Sequence, residues 1–195
     1  MRVAIVGAGP SGLACALTLE KRGICPDIFE RSSRTGLHVP MVYLMLELFQ
    51  RPYRDQLLYL SKLGINLRPL NKISRVIMRS PRRSAEVRGN LGFLVERGQG
   101  EKALEVQLAE KLHTKIKFNV EANYRELSSD YDFVVVADGS SRAAAENKVW
   151  ETTMDAWVKG AVVLGEFNPE EAAIFFDTSY ARHGYAFLSN GARKA

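Results

Sequence analysis

The sequence has few cysteines and no long apolar run, and each shortage excludes a class of protein. Cys15 and Cys25 are the only cysteines among 195 residues, so we expect neither a disulfide framework nor a metal site. No stretch approaches the roughly 18 apolar residues of a membrane span. The apolar start at Val3 is too short for a secretory signal. We therefore expect a cytoplasmic protein without an integral membrane segment, and peripheral contact with a membrane surface stays open.

Histidine is also scarce, with His38, His113 and His183 as its three positions. None accompanies a nucleophile signature, so the sequence nominates no catalytic residue. A surface or core role is favoured for each of them. His183, which stands beside Gly184, is the one that merits attention.

The charge is modest and mostly dispersed, with a formal net value of +5. Basic residues cluster only at Arg79, Arg82 and Arg83, among the serines and proline of residues 80–84. A short run of this kind indicates a solvated hairpin turn, so we expect no nucleic-acid partner. The positive balance suits an anionic cofactor.

A glycine-rich loop follows the first predicted strand, residues 2–6, and precedes a predicted helix that ends near Gly23. In a dinucleotide-binding unit the first glycine allows a tight turn, the second admits the pyrophosphate, and the third lets helix and strand pack closely. The pyrophosphate lies at the positive end of the helix dipole. The residues of this predicted phosphate-binding loop are Gly7, Ala8, Gly9, Pro10, Ser11 and Gly12.

An acidic residue closes the second predicted strand, Asp27–Glu30. Glu30 lies 18 residues after Gly12, where a carboxylate can accept hydrogen bonds from ribose hydroxyls. Its charge repels a 2′-phosphate, so NADP is the weakest candidate, even with Arg31 and Arg34 nearby. On these residues alone, NAD and FAD stay open.

The remaining chain alternates between helical and strand patterns. Residues 41–63 indicate a helix interrupted at Pro52, and Glu101–Leu112 indicates an amphipathic helix. Residues 132–137 indicate a fully buried strand. Three segments separated by turn residues predict antiparallel strands, at 73–78, 85–88 and 91–96. Further strands are predicted at 115–120, 161–164, 173–176 and 185–188.

Two distant motifs resemble those of one flavoprotein group. Residues 6–13 with Glu30 and Arg31 resemble the FAD-binding opening of the group that contains p-hydroxybenzoate hydroxylase and the geranylgeranyl reductases. Asp138 and Gly139, at the end of a predicted strand, resemble the Asp-Gly motif of the same group. The resemblance implies that both segments contact FAD.

Three further segments resemble the same group. The resemblance implies that Arg97 contacts the flavin nucleotide, with an exposed strand end as the equal alternative, and that Ala122 lies near the adenine. Gly184 and Tyr185, followed by Phe187, resemble a substrate-cavity strand of the reductases, although core packing is favoured for the two aromatic residues. The group's later Gly-Asp-Ala segment is missing, so we expect either a truncated form or a partner chain that completes the site, and a homo-oligomer stays open.

These patterns predict an α/β fold. A Rossmann-like FAD-binding domain, with a βαβ unit in three-layer packing, is expected at 1–70 and 98–150. A partial antiparallel β-rich region, similar to a substrate domain, is expected at 71–97 and 151–195. The resemblance implies an FAD-dependent oxidoreductase that acts on an apolar or aromatic small molecule, with NAD(P)H as a transient electron donor. The alternatives are an aromatic-type monooxygenase, a dinucleotide-binding module without turnover, and an NAD-dependent dehydrogenase.

Overall fold

The computed structural model describes residues 1–37, 41–47 and 55–190. Strands predominate up to residue 97, and short helices then alternate with strands over residues 104–146. In chain order the elements are β1 Val3–Val6, α1 Pro10–Glu20, β2 Asp27–Glu30, β3 Met41–Leu46, α2 Gln56–Lys62, β4 Asn71–Arg79, β5 Ser84–Arg97, α3 Leu104–Ala109, β6 Ile116–Phe118, α4 Tyr124–Leu127, β7 Phe133–Val136, α5 Arg142–Glu146, β8 Glu171–Phe175 and β9 Ala186–Ser189.

The chain forms two compact units. The first contains residues 1–35 and 112–166, and the second contains the described residues of 36–111 and 167–190. This division differs from the expected boundaries because β3 pairs with β5 and α3 contacts β5, which places both elements in the second unit. Residues 151–166 fall with the first unit. The assignment of either unit to cofactor or substrate remains a prediction.

The first unit is built on a parallel sheet with the strand order β6-β2-β1-β7. β1 lies between β2 and β7, so Ile5 pairs with Ile28 on one side and Val135 on the other. Helix α1 connects β1 to β2 and buries Leu13 and Leu17, each worth about 2 kcal/mol of apolar burial. The predicted βαβ unit and the Rossmann-like α/β class are confirmed.

β7 differs from the fully buried strand that its composition predicts. Phe133 is 59% exposed and Val136 is 39% exposed. β7 is an edge strand, and within the described residues β1 is the only strand that pairs with it. An apolar run identifies a strand, but the cover on its faces depends on elements elsewhere in the chain.

The second unit is built on a mixed sheet with the strand order β3-β5-β4-β8-β9. β3, β4 and β5 pair antiparallel, as do β8 and β9, whereas β4 and β8 run parallel. The antiparallel β-rich region that the sequence predicts therefore contains one parallel pairing, between β4 and β8. The buried core of the sheet consists of Ile73, Val76, Leu91, Leu94 and Ala172.

The predicted helix over residues 41–63 is wrong at its start. Met41–Leu46 forms β3, which pairs with residues 92–97 of β5. Leucine and methionine favour helices, but partners far along the chain override that preference here. The helical part is α2, while Pro52 lies outside the described residues.

Several boundaries and one further strand also depart from expectation. The predicted strands 85–88 and 91–96 are one continuous strand, β5, and α3 is shorter than the helix predicted for Glu101–Leu112. Residues 161–164 carry no strand and are exposed. Throughout the described ranges, every helix is too short or too polar to cross a bilayer.

Candidate dinucleotide-binding site

The predicted site residues of the first unit meet at one edge of its sheet. All four strands are parallel, so their carboxyl ends share an edge, which is where open α/β sheets bind ligands. The glycine loop follows β1, and Glu30 is the last residue of β2. Ala122 follows β6, and Asp138 with Gly139 follows β7.

Close packing explains two of the three loop glycines. Gly7 has φ of +102°, and a Cβ there would lie 2.5 Å from the carbonyl oxygen of Ala137 and 2.7 Å from Cα of Asp138. A Cβ on Gly12 would overlap the carbonyl oxygen of Gly7 and lie 3.3 Å from Cγ2 of Ile5. The loop after β1 is therefore held directly against the start of the Asp-Gly segment.

Gly9 differs from the other two, because its missing side chain is not required for packing. The nearest heavy atom to a Cβ at Gly9 is the carbonyl oxygen of Ala137, at 4.0 Å. Gly9 has φ of −78° and is the N-cap of α1, where no side chain caps the helix. Pro10 then occupies the first turn, and the exposed Ser11 leaves the helix start open to an anion.

Glu30 connects the end of β2 to the glycine loop. Its Oε2 accepts a hydrogen bond from the Ala8 N–H at 2.8 Å, and its Oε1 accepts one from the Ser32 N–H at 2.9 Å. Burial opposes ionisation of Glu30, but these N–H donors, with Arg31 nearby, hold its pKa below the ordinary value. Glu30 is therefore a carboxylate near neutral pH, and its hydrogen bond to the Ala8 N–H positions the loop.

The Asp138–Gly139 segment forms a local turn beside this loop. The Asp138 carboxylate accepts hydrogen bonds from the Ser140 N–H at 3.0 Å and the Ser140 hydroxyl at 2.8 Å. Gly139 has φ of +72°, and no heavy atom lies within 4 Å of a Cβ built on it. This glycine is required by backbone conformation, not by crowding.

Hydrogen bonds also join the ends of β6 and β2. The Val120 N–H donates to the Glu30 carbonyl and the Asn119 N–H donates to the Ser32 carbonyl, both at 3.0 Å. These bonds fix the path towards Ala122, which is half-buried. An adenine contact at Ala122 and a cofactor contact at the exposed Arg31 remain predictions.

Arg97 lies in the second unit, where it has partners of its own. Its Nε donates to Oε1 of Glu105 at 2.6 Å, and its guanidinium lies 5.8 Å from the centre of the Tyr43 ring. Glu105 is 1% exposed and also accepts from the Gly98 N–H at 3.1 Å. The structure shows that Arg97 forms an ion pair with Glu105. A contact between Arg97 and a cofactor remains a prediction.

The buried Glu105 was missed at the sequence level. It lies three residues before Leu108 and so shares a face of α3 with an apolar side chain. A carboxylate on the apolar face of a predicted helix, eight residues after Arg97, was the signal in the sequence that could have indicated a buried ion pair.

The aromatic residues near β9 are exposed. Tyr185 is 61% exposed and Phe187 is 45% exposed, so the expectation that both pack in a sheet core is wrong. Phe187 lies on β9, an edge strand of its sheet, and Tyr185 directly precedes that strand. In the described part of the chain, no group of three histidine, cysteine or acidic side chains could hold a metal ion.

Comparison with known proteins agrees with the geometry. The family described as NAD(P)-binding Rossmann-like domain matches residues 5–42. A geranylgeranyl bacteriochlorophyll reductase-like protein from Thermoplasma acidophilum has a similar solved structure. It shows a TM-score of 0.56 and 14% identity, over 90% of this chain and 50% of that one. The fold is Rossmann-like. A comparison with curated protein sequences gives no match.

Two oxygenases also resemble this Rossmann-like chain over a shorter part. One is 2-methyl-3-hydroxypyridine-5-carboxylic acid oxygenase, with a TM-score of 0.48 and 20% identity over 62% of this chain and 32% of that one. The other is 2,6-dihydroxypyridine-3-hydroxylase from Arthrobacter nicotinovorans. Its TM-score is 0.44 and its identity 20%, over 60% of this chain and 28% of that one. The chain thus spans half or less of the length of each of these structures.

Proposed function

We propose that this chain binds FAD at the carboxyl edge of its parallel sheet and serves an oxidoreductase of the geranylgeranyl reductase-like kind. The observation that carries the proposal is the contact between Gly7 and the backbone of Asp138. It brings together two motifs that are about 130 residues apart and that both resemble FAD-binding segments. The substrate would be an apolar small molecule.

The chain's own residues fit a dinucleotide in three respects. The uncapped start of α1 offers backbone N–H groups and a positive dipole end to a pyrophosphate. Gly9 leaves the space through which a phosphate can approach that backbone. Glu30 is ionised and lies where ribose hydroxyls can donate to it.

FAD is favoured over NAD by the neighbouring Asp138–Gly139 turn. A minimal βαβ unit needs only the loop and Glu30, whereas here a second exposed turn lies against Gly7. When bound, FAD supplies the hydride and electron transfer. The protein's part is to position the cofactor and to hold fixed charges around it.

The test is cofactor binding by the full chain, measured by titration calorimetry with FAD and with NAD⁺. A matched pair of variants, Gly9→Ala and Gly160→Ala, separates the loop from general effects, because neither added Cβ meets an atom closer than 4.0 Å. We expect wild type and Gly160→Ala to bind FAD, and Gly9→Ala to lose at least tenfold in affinity at unchanged stability.

Two results would overturn the proposal. NAD⁺ binding without FAD binding would indicate a dehydrogenase-type site. Equal FAD affinity in Gly9→Ala and Gly160→Ala would place the cofactor elsewhere.

A second candidate is a dinucleotide-binding module without turnover of its own, since the reductase-like structure has about twice the length of this chain. Anaerobic addition of NAD(P)H to the FAD-loaded chain distinguishes the two. Bleaching of the flavin absorbance supports an enzyme, and the aerobic product, saturated or hydroxylated, then separates a reductase from an aromatic-type monooxygenase. A cytoplasmic location is part of the proposal and rests on the sequence, while a homo-oligomer or a partner chain stays open.

A further inference from the structure

The second unit carries an unusual surface at one end of its mixed sheet. Here β4 and β8 end, while β5 and β9 begin, because β4 and β8 are parallel and both pair with antiparallel neighbours. The hairpin between β4 and β5 closes with the Ser80 N–H donating to the Arg83 carbonyl at 2.8 Å. Every residue from 79 to 90 is exposed, so this end of the sheet is a projecting tip.

Positive charge is concentrated on this tip and is not neutralised there. Arg79, Arg82 and Arg83 have no ion pair among the described residues, and all three are exposed. The nearest acidic residue of the hairpin, Glu86, is already paired with Arg75 and Arg88.

Aromatic side chains lie beside these arginines. The Phe176 N–H donates to the Arg79 carbonyl at 2.8 Å, which places Phe176 at the base of the tip. Phe176 is 48% exposed and Tyr185 is 61% exposed, with their ring centres 6.3 Å apart. Asp177 is the acidic residue next to this pair, and its carboxylate accepts from the Ser179 N–H.

We propose that this tip, defined by Arg79, Arg82, Arg83, Phe176 and Tyr185, docks on an anionic lipid bilayer. Unpaired guanidinium groups complement anionic headgroups, and each basic residue near such a surface contributes about 1 kcal/mol. Tyrosine and phenylalanine suit the boundary between headgroups and hydrocarbon.

The shape favours a bilayer over other anionic partners. Small-molecule sites are concave and enclose their ligand, whereas a hairpin tip projects. Single-stranded nucleic acid uses a groove in which successive bases stack on free ring faces, whereas Phe176 and Tyr185 contact each other. The docking does not depend on the cofactor.

The test is flotation of the full chain with vesicles of phosphatidylcholine alone or mixed with phosphatidylglycerol. We expect binding to the mixed vesicles only, with release at high salt because the charges are exposed. The variant R79Q/R82Q/R83Q should reduce the partition coefficient about a hundredfold, at roughly fivefold per arginine. Its matched control, R22Q/K115Q/K159Q, removes three exposed charges from the first unit and should bind like wild type.

The aromatic contribution is tested in the same assay. F176S/Y185S should weaken binding to mixed vesicles, whereas F133S, at an exposed phenylalanine of β7, should not. Thermal midpoints of all variants establish that each is folded.

Several outcomes would overturn the proposal. These are equal binding to neutral vesicles, equal losses in the two triple variants, and retention of a single-stranded RNA oligonucleotide with no vesicle binding. FAD affinity is measured on the same samples, so failure of docking with intact FAD binding rejects the tip alone.

Discussion

β1 and β7 are neighbouring strands of one sheet, yet their surroundings differ greatly. Val3 pairs with Phe133 and Val6 pairs with Val136. Val3 is 4% exposed, whereas Phe133 is 59% exposed. The loop after β1 is held by the carboxylate of Glu30, from another strand.

This difference separates two ways of building a ligand-binding edge. On the β1 side the geometry comes from packing and exists without a ligand. On the β7 side it comes from a local turn, in which the Asp138 carboxylate accepts its hydrogen bonds from Ser140, two residues on. Substitutions at the packed position Gly12 and at Glu30 should therefore change stability, and those near β7 should change ligand binding first.

The largest contrast is expected between two glycines. Gly12→Ala places a Cβ into the Gly7 carbonyl oxygen, so we expect a loss of about 3 kcal/mol in the free energy of unfolding. Gly139→Ala meets no neighbour within 4 Å and carries only the cost of φ at +72°, about 1 kcal/mol. Urea unfolding of the ligand-free chain measures both, and equal losses would contradict the packing account.

A second contrast concerns apolar side chains on the paired strands. Ile5 is fully buried, and Ile5→Ala should lower the free energy of unfolding by about 2–5 kcal/mol. Phe133→Ala, on the exposed β7, should cost no more than about 1 kcal/mol. A large effect at Phe133 would instead indicate that β7 is covered in solution, and its dependence on protein concentration would identify a second copy as the cover.

The sequence predicts the β1 side better than the β7 side for a physical reason. Gly12 and Glu30 act through neighbours within the first 32 residues, where spacing along the chain determines contact. The exposure of Phe133 depends on which elements pair with or cover an edge strand. A Phe-Val-Val-Val run carries no information about those elements.

Long-range pairing limits prediction in the second unit as well. Met41–Leu46 has helical composition, but its register with residues 92–97 of β5 makes it a strand. The cofactor contact at Arg97 was predicted from the resemblance to the flavoprotein group. Its ion pair with the buried Glu105 depends on how α3 lies against β5.

A smaller contrast is expected between two carboxylates. Glu30→Ala leaves the N–H groups of Ala8 and Ser32 without their acceptor, which should cost about 1–3 kcal/mol in the ligand-free chain. Asp138→Ala removes the acceptor of two Ser140 donors, which lie in an exposed turn where water can replace it. It should lower the free energy of unfolding by about 0.5 kcal/mol. In FAD titrations, however, both should weaken binding, and an unchanged affinity of Asp138→Ala would remove that turn from the site.

The smallest expected effect is the pH dependence contributed by Glu30. Burial opposes its ionisation, but the N–H donors of Ala8 and Ser32 lower its pKa in the folded chain. The stabilisation is therefore fully present above the carboxyl pKa of the unfolded chain, about 4.3, and is lost as the pH falls through the lower folded value.

The comparison with Glu30→Gln isolates this contribution, because every other carboxylate is common to the two proteins. Unfolding free energies measured from about pH 7 to pH 3 should converge as the pH falls, since a protonated Glu30 resembles glutamine. Parallel curves would mean that the Glu30 carboxylate does not stabilise the loop through its charge. The conformation of the loop after β1 would then be stabilised by the close packing at Gly7 and Gly12, without a contribution from the charge of Glu30.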